Sequence, residues 1–304
     1  MKALLWVNAA TVWGAAAIIS FGALTGCGHH SVVRSTPVIH ELTGAQQARI
    51  DQAELRIVKG CMARHGFRYW VTPPVPAEDR PAFEAVFVRD DIAWARKHGF
   101  GGLIQQRVMA AKARDPNATY RKNLPSAEQV RYSNALGGGP QQHMQIVRLP
   151  AGGRVATSTD GCMADATKKL YGDAAAWFHA NKIVTNLNPL YVPKLVRDKR
   201  FTTALTSWSR CMRHTTGHPY TDPDAVQSDL VKRTAGMSPA QSHPVEVRLA
   251  VAEATCAHTS SLSATIHKLA RVYSAPVRKR YAKEIETRGR MQHAALARAD
   301  QVLG

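Results

Sequence analysis

Apolar positions recur at helical spacing along most of this chain. Ile50, Ile57, Val58, Cys61 and Met62 share one face of a 3.6-residue period, Thr43 and Gln46 have the spacing of a reciprocal N-terminal cap, and Gly66 supplies a stop. An amphipathic helix over 44–65 is predicted. Phe201, Ala204, Leu205, Trp208, Cys211 and Met212 form a second stripe, ended by Gly217 and Pro219. A third runs from Val245 through Leu249, Ala252 and Cys256 to Leu262, Ile266, Leu269 and Tyr273. Pro244 is expected to open this last helix, and Pro276 to kink or divide it before it reaches Leu303.

Between these stripes the pattern is shorter-ranged. Residues 72–81 are proline-rich and should be extended or turning, because proline disfavours helix at the residue before it. Helical fragments are expected over 90–97, 103–112 and 126–136, the last closed by Gly137-Gly138-Gly139-Pro140. Residues 163–179 read as one helix, with Ala166, Leu170 and Trp177 as candidates for burial, and Asp222-Pro223 opens another. Residues 145–149 and 154–157 alternate at strand period around Pro150-Ala-Gly-Gly153, the pattern of a small hairpin. The fold expected is mainly α, a helical domain with one small β-hairpin, stabilised by disulfides.

Four cysteines carry that last expectation. Cys61-Met62 and Cys211-Met212 each lie on a buried stripe, each is followed by a glycine stop and an aromatic, and each precedes another cysteine, Cys162 or Cys256. The simplest pairing is within each unit, but four cysteines allow three pairings and the crossed ones remain open. Closing loops of about 45 and about 100 residues is worth roughly 4 to 5 kcal/mol each in the chain-entropy picture. A metal reading competes, since His65, His214 and His258 follow Cys61, Cys211 and Cys256 closely. No close Cys-x-x-Cys pair accompanies them, and disulfides are the expectation, with no metal.

The amino end bears on compartment. Lys2, an apolar run over 3–21 and Ala23-Leu24-Thr25-Gly26-Cys27 resemble the lipobox of bacterial lipoproteins, in which the cysteine takes a diacylglycerol thioether and becomes the first mature residue. The resemblance implies a signal peptide over 1–26, lipidation at Cys27 and a tether over 27–42, with the helical domain spanning 43–304. That domain holds the Cys-Met units near 44–173 and 198–262 and a basic C-terminal helix over 263–304. An uncleaved membrane-spanning anchor is the alternative, because the apolar run is long for a signal. An oxidising compartment suits the cysteine count.

Charge adds a partner class. The chain carries 40 basic and 22 acidic residues, and cleavage before Cys27 would remove only Lys2, leaving a formal +17. Between Lys268 and Gly304 lie nine basic and three acidic residues, among them Arg278, Lys279, Arg280 and Lys283. These four are the candidate anionic-surface residues. The competing reading is the solvated face of a packed helix. Wall polymer, anionic headgroups or an envelope protein are the candidate partners beside the membrane itself. Nucleic acid is not expected, for want of a binding motif.

Several short motifs resemble a group of uncharacterised actinobacterial secreted proteins and lipoproteins. They are Gly161-Cys162-Met-Ala-Asp-Ala166, Leu170-Tyr-Gly-Asp173, Trp208-Ser-Arg-Cys211-Met212, Ala250-Val-Ala252-Glu-Ala-Thr-Cys256 and Asp91-Ile-Ala-Trp94-Ala-Arg-Lys-His98-Gly99-Phe100-Gly101. The resemblance implies an exported helical protein with structural cysteines, and no activity.

Chemistry is otherwise sparse. The chain has no His-Glu-x-x-His, no Gly-x-Ser-x-Gly and no phosphate loop ending in Gly-Lys-Ser/Thr, and no cofactor is expected. His98 and His143 are the histidines to test first. A hydrolase-like site would require His98, Asp165, Asp173 and Glu253 to converge. The expectation leans instead to a non-catalytic, lipid-anchored binding protein on the extracytoplasmic face of the membrane, with a structural or assembly factor as the third class.

Overall fold

The computed structural model describes residues 41–304 except 85 and 140–142. The signal peptide expected over 1–26, the expected lipidation site Cys27 and most of the expected tether therefore lie outside the described residues. No described helix is long and apolar enough to cross a membrane.

Over the described residues the protein is mainly α-helical with one antiparallel hairpin, as its periodicity predicts. Helix α1 (Gly44–Arg64) starts on both bonds of the Thr43/Gln46 capping box and stops where Phe67 N–H reaches Met62 O and Gly66 N–H reaches Ala63 O. Those two bonds close a Schellman turn, which needs Gly66 at φ +82°. Short helices α2 (Ile92–His98), α3 (Gly102–Ala113), α4 (Pro116–Lys122) and α5 (Ser126–Gly137) follow. Strands β1 (Met144–Arg148) and β2 (Arg154–Ser158) pair with Val147 opposite Val155 and Arg148 opposite Arg154.

Helices α6 (Cys162–Tyr171) and α7 (Ala174–Val184) correct the single helix expected over 163–179. Gly172 at φ +81° ends the first, and the Asp173 carboxylate caps the second at Ala176 N–H. After the four-residue α8 (Val192–Leu195), Asp198 caps α9 (Lys199–Thr216) and Asp222 caps α10 (Pro223–Arg233). Helix α11 (Pro239–Thr259) is capped by Ser238 and contains Pro244 in its first turns. The start expected at Pro244 is thus five residues late; as the sixth helical residue Pro244 removes the amide that would reach Ala240 O, and since both residues are exposed water can satisfy that carbonyl.

Helices α12 (Leu262–Arg280) and α13 (Ala282–Leu303) complete the chain. The division expected at Pro276 falls at Tyr281, and α12 passes through the proline on a side where Val272 and Pro276 are exposed and water can satisfy the freed carbonyl. A break also separates α11 from α12, at Ser261 with φ 57°. Within 72–81, residues 72–76 are irregular as expected, but Ala77–Phe83 closes into a 3-10 helix that includes Pro81.

Both disulfides join partners within their own unit, Cys61 to Cys162 and Cys211 to Cys256. They fasten different cores. Cys61, Met62, Phe67, Tyr132, Cys162 and Ala166 pack together at α1, α5 and α6. Trp208, Met212, Tyr220, Leu249, Cys256 and Leu269 belong to a larger cluster built on α9, α11 and α12. Ile50, Ala53, Leu170, Met291, Ala295 and Ala299 seal α1 and α6 against α13.

Candidate functional site

Glu84, Val86, Phe87 and Arg89 line two clefts. The first, about 310 Å³, has apolar walls from Phe87, Tyr191, Leu195 and Ile266. Its polar end is Asp90, held from three directions. Ser263 Oγ donates to Asp90 Oδ2, His267 Nε2 lies 3.6 Å from the same oxygen, and His258 Nε2 lies 2.6 Å from the Asp90 carbonyl. The carboxylate thus stands between hydroxyl and imidazole. A serine nucleophile needs the imidazole in that middle position, which the carboxylate holds here.

The second cleft, about 400 Å³, has two carboxylates of α11 among its lining groups. Glu246 Oε1 accepts the backbone N–H groups of Phe100 and Gly102 at 2.8 and 2.7 Å, at the amino end of α3. The loop can wrap this carboxylate only because it is glycine-rich: a Cβ on Gly99 or Gly102 would come within 2.7 Å of Glu246 atoms. The His98-Gly99-Phe100-Gly101 motif is therefore explained by a buried carboxylate seven residues before Glu253 and on the same helix face. Glu253 Oε1 accepts Arg89 N–H, while Oε2 has no hydrogen-bond partner. Burial pushes the Glu253 carboxyl up to about 8.

The four residues of the hydrolase constellation have separate surroundings. Asp173 caps α7 and Asp165 lies beside the Cys61–Cys162 disulfide. His98 stacks obliquely on Trp94, with its pKa lowered first by burial and then by Lys97. Glu253 is buried against Arg89 and the Trp208 indole. His143 closes the open end of the hairpin, its ring 3.3 Å from Asp160. Of the three histidines considered for metal, His65 alone lies with its cysteines; among the described residues Cys61, His65 and Cys162 form the one three-ligand group.

Arg278, Lys279, Arg280 and Lys283 are all exposed where α12 meets α13. Among the described residues none of them forms an ion pair; Arg280 lies over the Tyr281 ring. Val277, Tyr281 and Ile285 at this junction pack against the cluster of Val147, Ile183 and Leu187, which Val155 also joins, so the basic turn and the hairpin's inner face share one small core. Its outer face carries Arg148 and Arg154 directly opposite one another, with Ile146 60% and Met144 48% exposed. Periodicity could find the helical basic run but not this face, which depends on the hairpin docking at the junction.

Comparison with protein-family models, with curated proteins and with solved structures finds no match for the chain.

Proposed function

We propose that this protein is a lipid-anchored, non-catalytic binding protein of the extracytoplasmic membrane face, held by lipid at Cys27 and attracted to anionic envelope material. One observation carries the binding half: four neighbouring cations, Arg278, Lys279, Arg280 and Lys283, stand exposed and, among the described residues, without ion-pair partners, and the outer face of the hairpin sets two further arginines opposite one another. Like charges directly opposite across a ladder are unfavourable alone and are relieved by a shared anion. Exposed Ile146 and Met144 on the same face suit an anionic lipid surface better than a wholly polar polymer, because they can enter the headgroup boundary. The motif resemblance to secreted actinobacterial proteins, and the two disulfides, support the compartment.

The test is co-sedimentation of the protein with vesicles containing phosphatidylglycerol, with zwitterionic vesicles and with purified wall polymer, each from low to high salt. Binding to the anionic vesicles should fall steeply with salt and be lost in the quadruple variant Arg278→Glu, Lys279→Glu, Arg280→Glu, Lys283→Glu. Salt-independent binding, or an unaffected variant, would overturn the reading. Mass spectrometry of the membrane fraction tests the anchor: a diacylated amino-terminal Cys27 is expected, and an uncut chain soluble in cytosol would refute it.

A further inference from the structure

The two disulfides differ in their surroundings. Cys211–Cys256 is ringed by hydroxyls, with Thr259 Oγ1 3.5 Å from Cys211 Sγ and Thr215 Oγ1 3.7 Å from Cys256 Sγ. Cys61–Cys162 is set among metal-ligating groups. One ligand atom each from Cys61, His65 and Cys162 lie within 4.8 Å of one another, and Asp165 Oδ2 lies 3.9 Å from Cys61 Sγ. Helix geometry produces this cluster. Cys61 and His65 are four residues apart at the end of α1, Cys162 and Asp165 three apart at the start of α6, and each pair shares a helix face. In the oxidised protein it is not a metal site, since a disulfide sulfur carries neither thiolate charge nor proton.

We propose that reductive opening of Cys61–Cys162 creates a zinc site, with the two thiolates and the His65 imidazole as ligands and Asp165 beside the fourth position. The reductant is a thiol or phosphine: the S–S bond breaks on a two-electron transfer, each sulfur takes one proton, and the reductant leaves as its own disulfide, its thiols giving the protons, or as phosphine oxide, water giving the oxygen and both protons. Zinc then displaces both thiol protons. Zn–S bonds of about 2.3 Å and a Zn–N bond of about 2.0 Å require only that the side chains separate within the space between two already adjacent helices. His65 is exposed, which gives the ion an approach from water to the buried sulfurs. A coordinate link thereby replaces the covalent one between the same pair of helices, while the other disulfide, on reduction, yields two thiols with, among the described residues, no nitrogen or carboxylate ligand grouped beside them.

The experiment is a cobalt(II) titration of the full chain, oxidised and then reduced with a phosphine under argon, followed by zinc displacement. The oxidised chain should bind no cobalt at this site, and the reduced chain one equivalent with a sulfur-to-cobalt charge-transfer band that zinc abolishes. The double variant Cys211→Ser, Cys256→Ser should keep the band. His65→Ala should weaken affinity at least tenfold, and since His65 is exposed its oxidised form should melt like wild type. If reduction costs helix content, zinc should restore it in circular dichroism. No cobalt uptake by the reduced chain, a band that depends on Cys211 or Cys256, unchanged affinity in His65→Ala, or no zinc rescue of a reduced chain that has lost helix would each overturn the proposal.

Discussion

Glu246 holds Gly102 by a charge-assisted hydrogen bond of 2.7 Å to its backbone N–H, across 144 residues of chain. Its Oε1 takes the Phe100 N–H as well, so one buried oxygen fixes the turn between α2 and α3. Hydrogen bonds to a charged group contribute about 1.5–3 kcal/mol each, and removing the acceptor strands both donors. Glu246→Ala should therefore lower stability by about 3 kcal/mol or more, and Glu246→Gln by less, in urea unfolding. Equal losses in the two variants would mean that packing rather than acceptance is what counts.

Gly102→Ala examines the same contact from the other side. A new Cβ would sit 2.7 Å from Glu246 Oε2, so the substitution should destabilise although alanine ordinarily favours helix. Combined with Glu246→Ala its cost should largely vanish, and a double-mutant cycle in denaturant reads that coupling directly.

Glu253 sets a pH dependence. In the folded protein this carboxyl keeps its proton up to about 8, against 4.5 when unperturbed. Between these values the folded state binds more protons than the unfolded chain, so its contribution to stability declines as pH rises through that window and is fully lost above it. Glu253→Gln should flatten the decline, matching wild type near pH 4 and exceeding it at pH 9 by on the order of a few kcal/mol. Denaturant midpoints across that range check it; parallel curves would refute the assignment.

The two disulfides close loops of different length, 101 and 45 residues. In the chain-entropy picture they contribute about 5 and about 4 kcal/mol respectively. Cys61→Ser, Cys162→Ser and Cys211→Ser, Cys256→Ser should each lower the thermal midpoint markedly, the first pair at least as much as the second. A loss confined to one pair would show that the cores are unequally dependent on their staples.

Much of the fold could be read in advance where a local device and a long apolar stripe agree. Thr43 with Gln46, the stripe through Met62 and the Gly66 stop locate α1 to within a residue. Ser238 and Gln241 form the same capping box for α11, but two prolines nearby draw attention to Pro244 instead. Helix α4 has no buried residue and hence no stripe to detect; only Asp115 and Pro116 announce it. The turn at Ser261 uses a positive φ without glycine, which composition does not signal. For the candidate site, the basic run was legible because it is local. Glu246 was not, since a carboxylate on a buried stripe acquires its meaning only from a loop 144 residues away.

The pairing of α1 with α13 has a consequence for how such a chain is made. Ile50 and Ala53 find their cover in Met291, Ala295 and Ala299, and Arg49 meets Asp300 at 2.6 Å. A polypeptide delivered amino end first must present α1 with the part of that greasy flank that α13 covers still bare until α13 emerges. Completion waits on α13, so removing that helix would leave α1, about 240 residues earlier in the chain, exposed to proteases.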